Sequence, residues 1–175
     1  MKEKLIFAAM LAGILCAAQE FKLDLDSSNP WKSIDNYGNR LNFETRKING
    51  KKAYVVTFAE VDESKNTAFA LVAPDYIVAG KQQITVTIQF QGWKRMKIVP
   101  SVYRFMSAIR WFDKAGVEIT PMTKISLPTG TGEIQTFSET FAVPAKARSA
   151  NVQIGFDVPD IRENHMFAIF DLQIK

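Results

Sequence analysis

From Gln83 to Phe90 the chain alternates strictly, with Ile84, Val86, Ile88 and Phe90 on one side and Thr85, Thr87 and Gln89 on the other. A period of two is the mark of a strand with one buried face. Ala150–Asp157 repeats the pattern, with Ala150, Val152, Ile154 and Phe156 inward and Asn151 and Gln153 outward. The last run, Met166–Ile174, places Met166, Ala168, Phe170, Leu172 and Ile174 on one side. Further strands are predicted over 42–48, 53–58, 67–72, 103–113 and 134–143. Asn49-Gly50 joins two of them, and both residue types accept positive φ, so a tight hairpin is expected there. Asp26–Arg40 shows no clear alternation and reads as an excursion at one rim. Between Glu20 and Lys175 no segment carries a sustained 3.6-residue apolar stripe, so the class is all-β, a β-sandwich or jelly roll.

The first residues are a different kind of sequence. A short charged start, Met1–Lys4, is followed by the apolar run Leu5–Ala18, too short to span a bilayer comfortably and ending in Cys16-Ala17-Ala18. Residues 1–18 read as a secretory signal peptide with Gln19 the new terminus, which makes the protein secreted and leaves no membrane span after cleavage; a retained N-terminal anchor is the alternative. Lipidation at Cys16 is disfavoured because Leu15 stands where a small residue is needed. Cleavage removes the chain's one cysteine, and with it any disulfide, thiol nucleophile or thiolate metal site. The remaining residues, 19–175, are enough for one domain that buries roughly two-thirds of its unfolded surface without a staple.

The formal charge of +4 becomes +3 without Lys2, Glu3 and Lys4, from 20 basic and 17 acidic residues. The basic residues are scattered apart from small clusters at 47–52 and 94–97, too thin a pattern for a nucleic-acid surface.

Four features in order resemble carbohydrate-binding modules of the galactose-binding-like jelly-roll type. They are the proline-led run Pro74–Phe90, the Trp111-x-Asp113-x-x-Gly116 hairpin within Ile109–Ile119, the strand after Val143-Pro144, and the closing strand through Asp171. The resemblance implies a jelly-roll fold, and it implies sugar binding more weakly, since the pattern marks the fold even where binding is absent. It also implies a possible structural calcium, with Asp171 in the closing strand and Asp24 or Asp26 in the first. Where the family often carries two acids in the closing strand, this chain has one, and the ligand count falls short of six.

Candidate chemistry is sparse. The single histidine, His165, follows Arg162-Glu163-Asn164 at a strand edge, and no Gly-x-Ser-x-Gly motif accompanies it. Glycoside hydrolysis needs two facing carboxylates. Asp113, Glu118, Asp157 and Asp160 all lie at turns, where acids cap backbone amides for local reasons. No enzyme activity is expected. Sugar sites stack a pyranose face on an aromatic ring and grip hydroxyls with planar polar groups. Alternation puts Trp111 toward the core and Arg110 on the opposite face, shared with Gln89 if the two strands pair. Trp93, after Gln91-Gly92, and Trp31, after Pro30 with Tyr37 nearby, are the expected exposed platforms, the alternative being lids over the sandwich end.

The reading is a secreted, non-catalytic carbohydrate (glycan) binding domain using Trp93, Trp31, Tyr37, Arg110 and Gln89, its partner a polysaccharide. The alternative is a structural or protein-interaction β-sandwich of the cell envelope that does not bind sugar.

Overall fold

The computed structural model describes residues 20–27, 31–37, 40–62, 67–94, 96, 107–158, 162 and 164–175, with backbone alone at 32–37, 59–60 and 156–158. Residues 1–18, the expected leader, lie outside them. Twelve strands follow in chain order: β1 (Phe21–Lys22), β2 (Lys32–Tyr37), β3 (Arg40–Ile48), β4 (Lys51–Glu60), β5 (Thr67–Val72), β6 (Tyr76–Ile77), β7 (Gln83–Gly92), β8 (Ala108–Phe112), β9 (Glu118–Lys124), β10 (Ile134–Ala142), β11 (Ser149–Val158) and β12 (Met166–Ile174). They form two antiparallel sheets, β10-β7-β12-β4-β3 with β1 beside β12, and β2-β5-β11-β8-β9 with β6 beside β11. This is the expected all-β jelly-roll sandwich. Among the described residues no helix is long and apolar enough to cross a membrane.

Alternation places the core between the sheets. Ile84, Val86, Ile88 and Phe90 of β7 face Ile109 and Trp111 of β8 and Val152 and Ile154 of β11 within one apolar cluster, all at or below 1% exposure. Each such side chain contributes about 1.5–3 kcal/mol relative to exposure. Trp111 is therefore core, and its Nε1 donates to Thr123 Oγ1 at 2.8 Å, which satisfies the one polar atom it buries.

Three expectations change. In β12 the pairing with β7 shifts between Ile169 and Asp171, a bulge that reverses the alternation. Phe167, Ile169, Leu172 and Ile174 therefore point inward, while Ala168 and Phe170 join Ala53 and Val55 in a small cluster on the outer face. The excursion over 26–40 contains β2, which pairs with β5 through a bulge between Ile34 and Asn36, and that irregularity hides its period. The strand expected over 103–113 is β8 from Ala108; residues 101–106 lie outside the described ones.

The turns behave as their residues dictate. Asn49 and Gly50 have φ of 49° and 79° and close the β3–β4 hairpin, with Ile48 opposite Lys51. After β8, the Asp113 carboxylate accepts from the N–H groups of Ala115 and Val117, and Gly116 takes φ 76°.

Candidate functional site

The outer face of the second sheet carries a run of polar side chains. Register sets Asn151 of β11 opposite Arg110 of β8, and Ser149 opposite both Phe112 of β8 and Ile77 of β6. Phe112 lies opposite Glu118 of β9. Period two sends all of these away from the core. The Arg110 guanidinium grips Glu118 with two bonds, Nε to Oε1 at 3.2 Å and Nη2 to Oε2 at 2.6 Å, and lies 5.5 Å from the Phe112 ring centre. On its other side Asn151 donates from Nδ2 to Asp75 Oδ1 at 2.9 Å.

The row Asp75, Asn151, Arg110, Glu118 thus crosses four neighbouring chain segments, with Phe112 beside it. Asp75 is exposed, whereas Arg110, Glu118 and Phe112 are half-buried. Asn151 is 6% exposed, and its Oδ1 is buried without a partner among the described residues. Chemically the row offers carboxylate acceptors, guanidinium donors and an apolar ring edge on one surface. Farther along the same face Gln153 and Ala108 are buried, at 3% and 0% exposure, so Asn151 and Gln153 point outward but do not lie open to solvent as alternation alone had implied.

The second aromatic feature lies at one end of the sandwich. Trp93 follows β7, and its ring stacks on His165, centroids 4.6 Å apart and planes 7° apart, with Phe58 edge-on at 6.3 Å. The turn is fixed by its own backbone: Met96 N–H donates to Trp93 O, Gly130 N–H to Met96 O and Gly132 N–H to Gly92 O. A Cβ on Gly130 would collide with Trp93 O, so glycine is required for that approach. Trp93 is half-buried rather than a bare platform, because His165 covers one ring face. His165, expected at a solvent-exposed edge, is half-buried too. Its Nδ1 accepts from Arg162 N–H at 3.2 Å. Burial, and then the Arg162 charge, lower its pKa below the ordinary 6.5.

The other expected residues are dispersed. Trp31 is 1% exposed inside the core cluster, a correction to the exposed-platform expectation; the apolar indole is worth more between the sheets than at the rim. Its Nε1 has no partner among the described residues. Gln89 belongs to β7 and Arg110 to β8, strands of different sheets, so the two sit on opposite outer faces and cannot share a site. Tyr37 ends β2 opposite Ala68 in register, and its side chain lies outside the described set.

The expected calcium ligands have separate partners. Asp26 pairs with Lys52, Asp24 Oδ1 accepts from Asp26 N–H at 2.8 Å, and Asp171 Oδ2 accepts from Gln173 Nε2 at 2.6 Å. Among the described residues no group of three or more His, Cys, Asp or Glu is placed to hold a metal.

Asp75 and Glu118 were missed as site residues. The only signal for Asp75 was the Pro74-Asp75 turn, and that turn runs into β6, which docks beside β11. Glu118 was read as a turn acid because its partner, eight residues earlier, is visible only once β8 and β9 pair.

The sequence matches no protein-family model and no curated protein. Solved structures share the fold. The enzymatically active domain of bacteriophage CBA120 tailspike protein 4 aligns at TM-score 0.54 and 12% identity, over 86% of this chain and 20% of its own. The glycoside hydrolase domain of Endo-D from Streptococcus pneumoniae R6 aligns at 0.52 and 12%, over 83% and 21%. This chain thus spans about a fifth of each. The CBM22-1 xylan-binding domain of Paenibacillus barcinonensis Xyn10C aligns at 0.50 and 8%, over 89% of this chain and 92% of its own. The chain therefore folds as a β-sandwich of the kind that carbohydrate-binding modules adopt.

Proposed function

We propose that this protein is exported and binds a glycan without turning it over, on the outer face of the second sheet at Asp75, Asn151, Arg110, Glu118 and Phe112. The row from Asp75 to Glu118 carries this reading. It sets fixed donors and acceptors beside an aromatic ring, which is the chemistry that recognises a polyol with one apolar face. Because Glu118 neutralises Arg110 and Asp75 adds a negative charge, the surface suits a neutral sugar better than an acidic one. A xylan-binding domain of the same fold and nearly the same length supports the class of ligand.

A panel of neutral and acidic polysaccharides, titrated with and without calcium, tests the proposal. Binding of a neutral glycan, weakened at least about tenfold by Asp75→Ala and by Arg110→Ala, is expected. Absence of binding across the panel, or binding indifferent to both substitutions, overturns it. Release of reducing ends from a bound glycan overturns the non-catalytic part. Export is checked by sequencing the N-terminus of the protein recovered from its native host, which should begin at Gln19.

A further inference from the structure

An asparagine side chain can be attacked by the backbone nitrogen of the residue that follows it, and glycine allows the approach best because no Cβ crowds that nitrogen. Asn49 is the one asparagine of the chain that precedes a glycine; the others precede larger residues or proline. Asn49 and Gly50 are exposed at the β3–β4 tip, and a Cβ on Gly50 would meet nothing within 4 Å. The last ladder pair of the hairpin is Ile48 with Lys51. Among the described residues no hydrogen bond holds the Asn49 carboxamide or the Gly50 N–H, so both reacting groups are free. The next pair along sets Lys47 directly opposite Lys52, both exposed. Like charges directly opposite are destabilising, so this tip opens more readily than the ladder behind it. Asp26 pairs with Lys52 and offsets part of the repulsion.

We propose that Asn49 is a site of spontaneous deamidation through a succinimide, reached when the Lys47–Lys52 repulsion opens the tip. Opening is needed because the closed turn fixes the backbone dihedrals at Asn49, whose φ is 49°. Once it opens, the Gly50 nitrogen bonds to Asn49 Cγ and gives up its proton to solvent. The Cγ–Nδ2 bond breaks, and Nδ2 leaves as ammonia. Water then opens the five-membered ring at one of its two carbonyls. Attack at one carbonyl yields aspartate; attack at the other yields isoaspartate, in which Cβ joins the main chain. The cations of Lys47 and Lys51 favour loss of the Gly50 proton. Isoaspartate lengthens a loop whose size sets the pairing, so Ile48 and Lys51 no longer face each other in that product. The hairpin belongs to the first sheet and leaves the Arg110 face of the second untouched, so its test is independent of glycan binding.

The full chain is incubated at mildly alkaline pH, folded and in urea, and digested for peptide mass spectrometry, with aspartate and isoaspartate products separated by chromatography. In the folded protein Asn49 should convert before every other asparagine, with isoaspartate the major product. The converted protein should leave a cation exchanger earlier, because an amide has become a carboxylate. Lys47→Glu sets opposite charges across the ladder and should slow conversion of the folded protein at least about threefold, the size of a cross-strand charge pair. Lys47→Thr, which removes the repulsion without adding attraction, should fall between Lys47→Glu and the unsubstituted chain. In urea, where the strands are apart, the slowing should be smaller for both variants, and circular dichroism checks that each is folded in buffer. Another asparagine converting first in the folded protein, a Lys47→Glu rate equal to that of the unsubstituted chain, or a slowing as large in urea as in buffer overturns the proposal.

Discussion

The indole of Trp93 lies flat against the imidazole of His165, centroids 4.6 Å apart. The ring belongs to the chain's only histidine, so its titration stands alone between the carboxylate and amine ranges. Burial and then Arg162 lower the His165 pKa in the folded state. The unfolded chain therefore takes up this proton first as pH falls, and stability declines from about pH 7.5 through the unfolded value, levelling below the folded pKa. Thermal melting between pH 8 and pH 5 should show that decline, and His165→Gln should abolish this component. A wild-type profile flat across the window would contradict the buried stack.

Gly130 holds the same turn from behind. Gly130→Ala should cost about 1–3 kcal/mol, since its Cβ meets the Trp93 carbonyl, a backbone atom unable to swing aside. Denaturant unfolding measures the cost. Displacing Trp93 from His165 should also change the tryptophan emission of the folded protein.

Arg110 and Glu118 are bidentate but partly solvated, with side-chain exposures of 24% and 22%. A double-mutant cycle with alanine at both positions should return a coupling of about 0.5–1 kcal/mol, near the upper end for such pairs. Arg110→Ala then remains folded, and any loss of glycan binding in that variant reads as a surface effect.

Trp31 and Trp111 are both buried yet differ in one bond. Trp111 Nε1 reaches Thr123, while Trp31 Nε1 is orphaned among the described residues. Trp111→Phe should therefore be the costlier change, by about 1–2 kcal/mol, because it also strands the Thr123 hydroxyl. Paired urea melts decide the order, and equal costs would mean that the Trp31 donor is satisfied.

Legibility in the sequence followed the regularity of each element. The alternation of β7 and the Asn49-Gly50 turn were readable because local sterics and a single buried face determine them. β12 was read with the wrong inward set up to Phe170 and the right one from Leu172, since one bulged residue inverts a period-two pattern without leaving a trace in composition. β2 was missed for the same reason. Trp31 looked exposed because its sequence neighbours, Asn29-Pro30 and Lys32, are polar or turn-forming types, whereas its own indole is buried in the core cluster.

By itself the sequence determined the all-β class, the inward residues of the regular strands and the turns, all of which follow from interactions between near neighbours in the chain. Tertiary structure decided which strands share a sheet. That separated Gln89 from Arg110 and joined Asp75 to Asn151 across 76 residues and Arg110 to Glu118 across a hairpin. Sheet membership depends on how two apolar faces close over one another, a property of the whole chain that no single segment records.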